Sequence, residues 1–467
     1  MIEPTQTVSL PVEPHEGIAP VAVTDRGEAA HLVAGSLRAT ILGVAIPAVA
    51  SSLLMTLFSS VDAFWVGTRI GAAGLAAVST SLFWIWMIIS FAEMIGVGLT
   101  AVAARRHGEL RSTEAARLAG DALVFSIALG IIVAIVGTTQ LDAIFRAMET
   151  PAEVTALGSR YLRTYLIGTP LIYGFFAVDA SFRASGDTKT PFVLLFSSVL
   201  VTLVLDPLLI LGIGPFPRLG IAGAAIATIG TRGVVCVIGA VISARRNLLR
   251  IGRIRAESIR QVCRVGLPTA VTGSTFSIIY VVLTRTTTRF GTPALAALGI
   301  GHRVESWLFM IGVGFGAATA AIVGQNLGGG RPDRAERAGW LATGFCTALG
   351  VVAFALELGI PKEFASLFTN EPAVIAEAVK YLRIASFSQL AVCAEVVLEG
   401  ALGGAGETVP PMLSSTALTA SRIPLAGWAA DRWGSSGIWW VISLTAIGRG
   451  VAMAGLWRRG RWKRRSI

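Results

Sequence analysis

A chain of 467 residues with 54% hydrophobic residues, 14% charged residues and a mean hydropathy of +0.70 is excluded from the ordinary soluble globular class, whose domains carry about 25% charged residues. The net charge of +11 would point to nucleic acid in a soluble chain. Here the basic residues sit mostly in short loops between apolar runs, so membrane topology accounts for them and no nucleic-acid partner is expected.

In chain order, residues 1–37 hold Pro11, Pro14, Pro20 and scattered acids without an apolar signal region, and are expected to form a disordered cytoplasmic tail. Twelve apolar runs of spanning length follow, at about 39–66, 75–103, 118–141, 161–183, 191–212, 221–243, 261–286, 295–325, 337–360, 381–403, 411–430 and 436–456. The expected fold is therefore an all-α polytopic membrane protein. No loop between the runs is long enough for a folded soluble domain. Cys236, Cys263, Cys346 and Cys393 have no CxxC spacing and read as small buried hydrophobes, neither disulfides nor metal ligands.

The first run carries Pro47 and, near its end, Asp62. A proline there should bend the helix, and a carboxylate at membrane depth is a functional-site hypothesis by default. Asp206, followed by Pro207 in TLVLDPLLIL, is the second such carboxylate.

Alternate loops hold most of the Arg and Lys: 105–117, 183–189, 245–260, 331–337 and the tail RRGRWKRR. The positive-inside rule makes that side cytoplasmic and puts both termini inside. The stretch 244–260 reads as a basic linker, with a surface amphipathic helix as the alternative.

An internal repeat organises the chain. YLR at 161–163 recurs at 381–383, GDTKTP at 186–191 as GETVPP at 406–411, and GAAGLAA at 71–77 as GTPALAA at 291–297. Gly108, Arg111 and Ala115 match Gly328, Arg331 and Ala335, and AIP at 45–47 matches GLP at 266–268. A constant offset of about 220 residues over several motifs marks a duplication. Six helices per half make the halves parallel repeats about an axis along the membrane normal. The expected parts are an N-lobe at 38–243, a linker at 244–260, a C-lobe at 261–457 and a basic tail at 458–467. In the repeated loop, Gly186 is expected to end helix four in a left-handed conformation, Thr190 to cap the next helix and Pro191 to suit its first turn.

PAVASSLLMTLFSSVDAFWVG, ASFRASGDTKTP, VGQNLGGGRPDRAERA and GAGETVPPM followed by SRIPLAGWAADRWGSSGIWW occur in an order that resembles the multidrug and toxic compound extrusion (MATE) family. The resemblance covers about residues 40–460. It implies two six-helix lobes around a cleft, and efflux driven by a proton or sodium gradient through alternating access. It also implies that the carboxylates matching Asp62 and Asp206 act together, with Tyr161 near them. Where proton-coupled members carry an asparagine this chain has Thr202, which can still donate to Asp206 one turn away. Helix geometry places Asp62 about 6 Å and Asp206 about 9 Å inside the outer helix ends, so Asp62, Asp206, Thr202 and Tyr161 share the outer half of the first lobe.

The repeat positions of these acids in the second lobe, near Val282 and Ile423, are apolar, and the helix-seven glutamate of sodium-binding relatives has no counterpart in GLPTAVTGSTFSIIYVV. Glu305 and Glu395 are the substrate-cleft candidates there, with a local pairing of Glu305 to His302 as the plainer reading. Asp179, with Arg183 one turn on, is expected to form an ion pair; Glu93 is unassigned. The intramembrane charges read as mainly acidic.

The expected function is export of amphipathic, often cationic organic compounds in exchange for protons. No cofactor is expected, and the protein is expected to act as a monomer in the bacterial inner membrane. Sodium coupling at Asp62 and Asp206 is the alternative, as is a flippase for lipid-linked sugars. An enzyme is disfavoured by the lack of HExxH or His/Cys metal spacing, and ATP hydrolysis by the lack of GxxxxGK[ST]. Cysteines introduced at residues 1 and 467 should react with a membrane-impermeant maleimide only after the cytoplasmic side is opened. Labelling of either in intact cells would overturn the topology.

Overall fold

The computed structural model describes residues 30–70, 72–147 and 152–465; side chains at 30, 31, 59–64, 281 and scattered positions between 67 and 83 lie outside that description. Asp62 and residues 1–29 therefore fall outside it. Among the described residues all regular structure is helical.

Twelve rods follow in order. In the first half they are α1 (Leu37–Arg69), α2 (Ala72–Gly108), α3 (Ser112–Ala147), α4 (Ala152–Ile167 and Thr169–Ser185), α5 (Lys189–Leu211) and α6 (Ile221–Arg245). The second half repeats them as α7 (Ala256–Thr288), α8 (Gly291–Gly328), α9 (Pro332–Gly359), α10 (Pro372–Ser386 and Gln389–Gly404), α11 (Val409–Ala420 and Arg422–Trp433) and α12 (Ser435–Arg458). Nine are long and apolar enough to cross a membrane unbroken, and α4 and α10 qualify as spans bent by 49° and 56°. The two segments of α11, 12 residues each, are too short to span alone.

The breaks have local causes. In α4, Pro170 has no N–H to give the carbonyl of Leu166, and the Thr169 hydroxyl takes that carbonyl instead at 2.7 Å. Gly168 is required there because a Cβ would stand 2.4 Å from Ile229. In α10 the hydroxyls of Ser386 and Ser388 bend back onto the carbonyls of Arg383 and Ala385, at 2.8 and 2.7 Å. Such bonds compete with the helical ladder.

The repeat is visible as matched contacts. Ser51 donates to the carbonyl of Pro47 and Thr272 to that of Pro268, both at 3.0 Å. Pro47 and Pro207 both lie inside continuous helices, and Thr188 donates to the Val44 carbonyl at 2.8 Å, one residue beyond the carbonyl that Pro47 frees. Gly186 is left-handed at φ 95°, as its sequence predicts. The cap of α5 is not Thr190, however. Asp187 accepts the backbone N–H of Thr190 at 2.9 Å and pairs with Arg246 at 2.7 Å, because a carboxylate is the stronger acceptor.

The lobes meet through exchanged first helices. The opening half of α1, with Ile41, Val44 and Ala45, packs on Phe315, Ala318 and Ile322 of α8. The opening half of α7, with Val262 and Val265, joins the N-lobe core. A Cβ on Gly98 would stand 2.1 Å from the Val262 carbonyl oxygen, and one on Gly266 1.8 Å from that of Met94. A reciprocal pair closes the seam at its basic end. A Cβ on Gly108 would lie 2.0 Å from the Gln325 oxygen, and one on its repeat mate Gly328 2.1 Å from the Arg105 oxygen. All these residues lie in the helix halves nearest the basic loops. Among the described residues, the outer C-lobe core around Leu283, Leu298, Leu382 and Ile442 contains no N-lobe residue, as expected for lobes that part beyond the seam.

Extensions reinforce the basic side. The 246–255 linker is not helical; Arg250 bonds the Ala116 carbonyl at 2.8 Å and Arg255 pairs with buried Asp121 at 3.1 Å. Part of the stretch expected to be disordered is anchored: the carbonyls of Leu32 and Val33 accept from Asn326 and Arg331 at 3.2 and 2.6 Å. At the other end Trp462 stacks on Trp457 at 3.9 Å, Lys463 pairs with Glu336 at 2.6 Å, and Arg105 reaches the Arg465 carbonyl at 2.6 Å. The four cysteines are free thiols.

Overpacking a tight interior costs about 1–3 kcal/mol. Gly98→Ala and Gly266→Ala should each lower the thermal unfolding midpoint, whereas Gly344→Ala, which meets nothing within 4 Å, should not. Equal midpoints for all three would contradict backbone-to-backbone contact at the seam.

Candidate functional site

In the N-lobe, Ser198, Thr202 and Asp206 recur at four-residue spacing and share one face of α5. All three are buried, Asp206 completely. The Thr202 hydroxyl does not turn toward Asp206 as its spacing suggests. It donates to the Ser198 carbonyl at 2.8 Å and meets the Thr231 hydroxyl of α6 at 2.8 Å. Arg232, the next residue on α6, is 9% exposed and lies 5.8 Å from the Phe175 ring. It also lies within electrostatic reach of Tyr161 and Tyr165 of α4, both buried. Phe58, Ser198, Thr202, Thr231 and Arg232 line one small pocket. The structure thus ties Thr202 to Arg232 and Tyr161 through α6, and sets Asp206 one turn along α5.

In the C-lobe, Tyr381, the repeat mate of Tyr161, donates to Glu305 at 2.9 Å. The His302 Nδ1 stands 3.7 Å from the same carboxylate, so the local pairing coexists with an interhelix bond. Rings of Phe276, Tyr280 and His302 form a partly exposed wall with centroids 4.5 and 4.6 Å apart. Behind it lie Gln389, which donates to Glu357 at 2.8 Å, and Arg422, which donates to Thr445 at 2.7 Å. Glu395 is not an open cleft carboxylate. It is 4% exposed and paired with Arg449 of α12 at 2.9 Å. Desolvated carboxylates in proteins are paired or hydrogen-bonded, and this one has a guanidinium across the lobe.

Where the lobes converge, Asp179 and Arg183 form the expected ion pair at 2.7 Å. Arg183 lies against α2 at Gly96 and within electrostatic reach of Glu93, which is exposed. Glu399 of α10, the repeat mate of Asp179, feels both Glu93 and Arg449. Charged side chains of both lobes therefore gather where the lobes converge.

Arg183, Arg232, Arg422 and Arg449 stand among the intramembrane acids, which still outnumber them. The last three stand inside apolar runs, in IGTRGVV, TASRIPL and AIGRGVA. The same cost that singled out Asp62 and Asp206 applies to an arginine, and that signal was present in the sequence.

The MatE family model matches residues 47–208 and again residues 268–428, one match per lobe. The chain belongs to the MatE family. Among curated relatives, it is 27% identical over 449 residues to a probable multidrug resistance protein, NorM, of Thermotoga maritima, covering 92% of this chain and 94% of that one. It is 28% identical over 355 residues to an FAD transporter of Shewanella oneidensis, covering 74% and 77%. Among solved structures, a MOP superfamily transporter from Pyrococcus furiosus superposes with a TM-score of 0.87 at 22% identity, covering 94% and 99%. This MatE protein is a multi-pass membrane transporter of the multidrug efflux family, with twelve helices in two lobes, and not an enzyme.

Removing one partner of a buried ion pair strands the other charge at a cost of about 3–5 kcal/mol. Arg449→Met should sharply lower the unfolding midpoint of this MatE protein, and Glu395→Leu with Arg449→Met should recover most of the loss. A neutral single substitution would contradict the pairing.

Proposed function

We propose that this MatE transporter exports amphipathic organic compounds, including cations, from the cytoplasm in exchange for protons bound in the N-lobe. The basic loops mark the cytoplasmic side of a bacterial inner membrane, and the seam then closes the cytoplasmic end while the cleft faces outward. Asp206 is the proton acceptor among the described residues, and Asp62, whose side chain lies outside them, is its proposed partner. Tyr161 and Thr202 position their surroundings, Thr202 through Thr231. The cleft offers what loosely specified cations need: aromatic walls at Tyr280 and His302, and carboxylates at Glu93, Glu305 and Glu399.

The observation that carries proton coupling is Asp206 itself, fully buried one turn along α5 from Thr202. A sodium ion would leave two buried charges to be paired and coordinated. A proton instead cancels the carboxylate charge that burial penalises. Protonation from outside changes the hydrogen bonds along α5 and α6 and bends α1 about Pro47. It drives release only by the difference in affinity between conformations. The protein acts as a monomer, since each chain holds both lobes and the cleft between them.

Proteoliposomes loaded with a cationic dye test this directly. An imposed pH gradient should drive export, and Asp206→Asn should reduce that flux at least tenfold while leaving the unfolding midpoint unchanged. Flux that follows a sodium gradient with no pH gradient would replace proton coupling by sodium coupling. Movement of a lipid-linked sugar and of no dye would replace the export reading by a flippase.

A further inference from the structure

The turn from α8 into α9 carries Arg331, Arg334 and Arg337, and its repeat mate leads from α2 into α3. The mate neutralises itself. Arg111 pairs with Glu114 at 2.6 Å and with Glu109 at 3.3 Å, and Arg106 pairs with Glu109 at 2.9 Å. At the repeat offset of about 220 residues, Glu109 becomes Gly329 and Glu114 becomes Arg334. The two acids that the second turn does have, Asp333 and Glu336, both face Lys463 of the C-terminal tail, at 3.5 and 2.6 Å. Arg331, Arg334 and Arg337 are left without a carboxylate partner among the described residues.

Arg331 donates to the Val33 carbonyl at 2.6 Å, and Arg334 donates to those of Ala34 and Gly35 at 2.8 and 3.1 Å. These bonds hold the strap of residues 33–35 ahead of α1 but cancel no charge. Arg331 and Arg334 also stand within electrostatic reach of each other. Arg337 makes no hydrogen bond or ion pair among the described residues. A concentration of one sign of charge in a concave surface draws in the opposite ion.

The surface is concave here. The three arginines line a cavity of about 450 Å³ between Leu37, at the start of α1, and the first turns of α9. Asp333 is the one acid in its lining. The helix below sets its depth. Arg337, Trp340 and Gly344 recur at three- and four-residue spacing on one exposed face of α9. Trp340 is 39% exposed, one turn from Arg337, and tryptophan favours the headgroup level of a bilayer. One turn further, a Cβ on Gly344 would meet nothing within 4 Å. Cation, indole and open space follow one another as phosphate, glycerol ester and acyl chain do in a phospholipid.

We propose that this cavity is a phosphate site, filled by the headgroup of an anionic phospholipid from the leaflet on the basic side. Arg331, Arg334 and Arg337 receive the phosphate, and an acyl chain runs past Trp340 along α9. A guanidinium fork matches two phosphate oxygens at once, and basic cavities beside membrane helices suit anionic headgroups. The site lies apart from the cleft and from the residues of proton coupling, so it does not rest on the export reading.

Native mass spectrometry of the full-length protein, titrated with dioleoyl phosphatidylglycerol or dioleoyl phosphatidylcholine, tests this. The two lipids share their chains and differ in headgroup charge. The unsubstituted protein should bind phosphatidylglycerol the more tightly. Arg337→Gln, which breaks no contact of the fold, should weaken the first bound phosphatidylglycerol by about fivefold, the scale of one basic residue at a lipid surface, and leave phosphatidylcholine within about twofold. Arg337→Lys should retain most of the affinity. Arg117→Gln, at the repeat-mate position beside the self-neutralised turn, should change neither lipid.

Equal affinity of the unsubstituted protein for both lipids overturns the proposal. So does an equal loss in Arg117→Gln and Arg337→Gln, which would mean diffuse attraction to the basic face, or a loss in neither. A soluble anion is the other source of a phosphate. Inorganic phosphate equimolar with the lipid should not displace it; displacement would assign the cavity to a soluble anion and sink the lipid. Asp25→Asn combined with Glu28→Gln, just ahead of the strap, should leave binding unchanged. A gain of about fivefold there would make the chain's own acids the occupant, and the lipid assignment would be wrong.

Discussion

The structure depends on how closely two pairs of helices approach without side chains between them. At Gly98 and Gly266, α2 and α7 meet backbone to backbone; at Gly108 and Gly328, α2 and α8 do the same about a local two-fold axis. Lipid tails are as apolar as leucine, so burial drives little association within a bilayer. Small residues that allow close contact supply dispersion contacts and shape instead. Because the seam occupies only the basic-side halves of the helices, it fixes where the lobes touch and therefore where the cleft opens. The opening halves of α1 and α7 each cross to the opposite lobe, which makes the seam an exchange and not a simple abutment.

The duplicated scaffold carries two different chemistries. Both lobes keep the repeated tyrosine, but Tyr161 sits near Arg232 while Tyr381 holds the Glu305 carboxylate. Where the N-lobe buries Asp206 on helix five, the C-lobe buries Arg422 near the corresponding place on α11. Asp179 finds its arginine one turn away on the same helix. Its mate Glu399 has Gly403 at that position, and the C-lobe arginine, Arg449, comes from α12 to Glu395 instead. One duplicated frame thus carries different buried charges in its two lobes.

Much of this was readable before any coordinates. Twelve apolar runs, the offset of about 220 residues, and the left-handed Gly186 all express local rules: length against bilayer thickness, periodic motifs, and conformational freedom at a helix end. What was not readable was mostly tertiary. The bend at Ser386–Ser388 has no proline to announce it. The Arg449–Glu395 pair joins helices 54 positions apart in the chain, and nothing in either segment alone names the other. Arg232 and Arg422 are a different case. Each stands out against its apolar neighbours by the same energetic argument that marked Asp62 and Asp206, since an arginine at that depth is as costly as a carboxylate.

The central claim is that two rigid lobes pivot about the glycine seam. It can be tested by spin-label distances between repeat-related positions, in a background with the four cysteines replaced. Arg117→Cys with Arg337→Cys reports the basic side, and Arg146→Cys with Ser366→Cys reports the opposite side; all four positions are exposed. Introducing Gly98→Leu, which wedges the seam, should lengthen the first distance and shorten the second, with the distance between 117 and 146 inside one lobe unchanged. If both interlobe distances lengthen together, or the distance within the lobe shifts as much as those between lobes, the lobes do not pivot as rigid bodies about this seam.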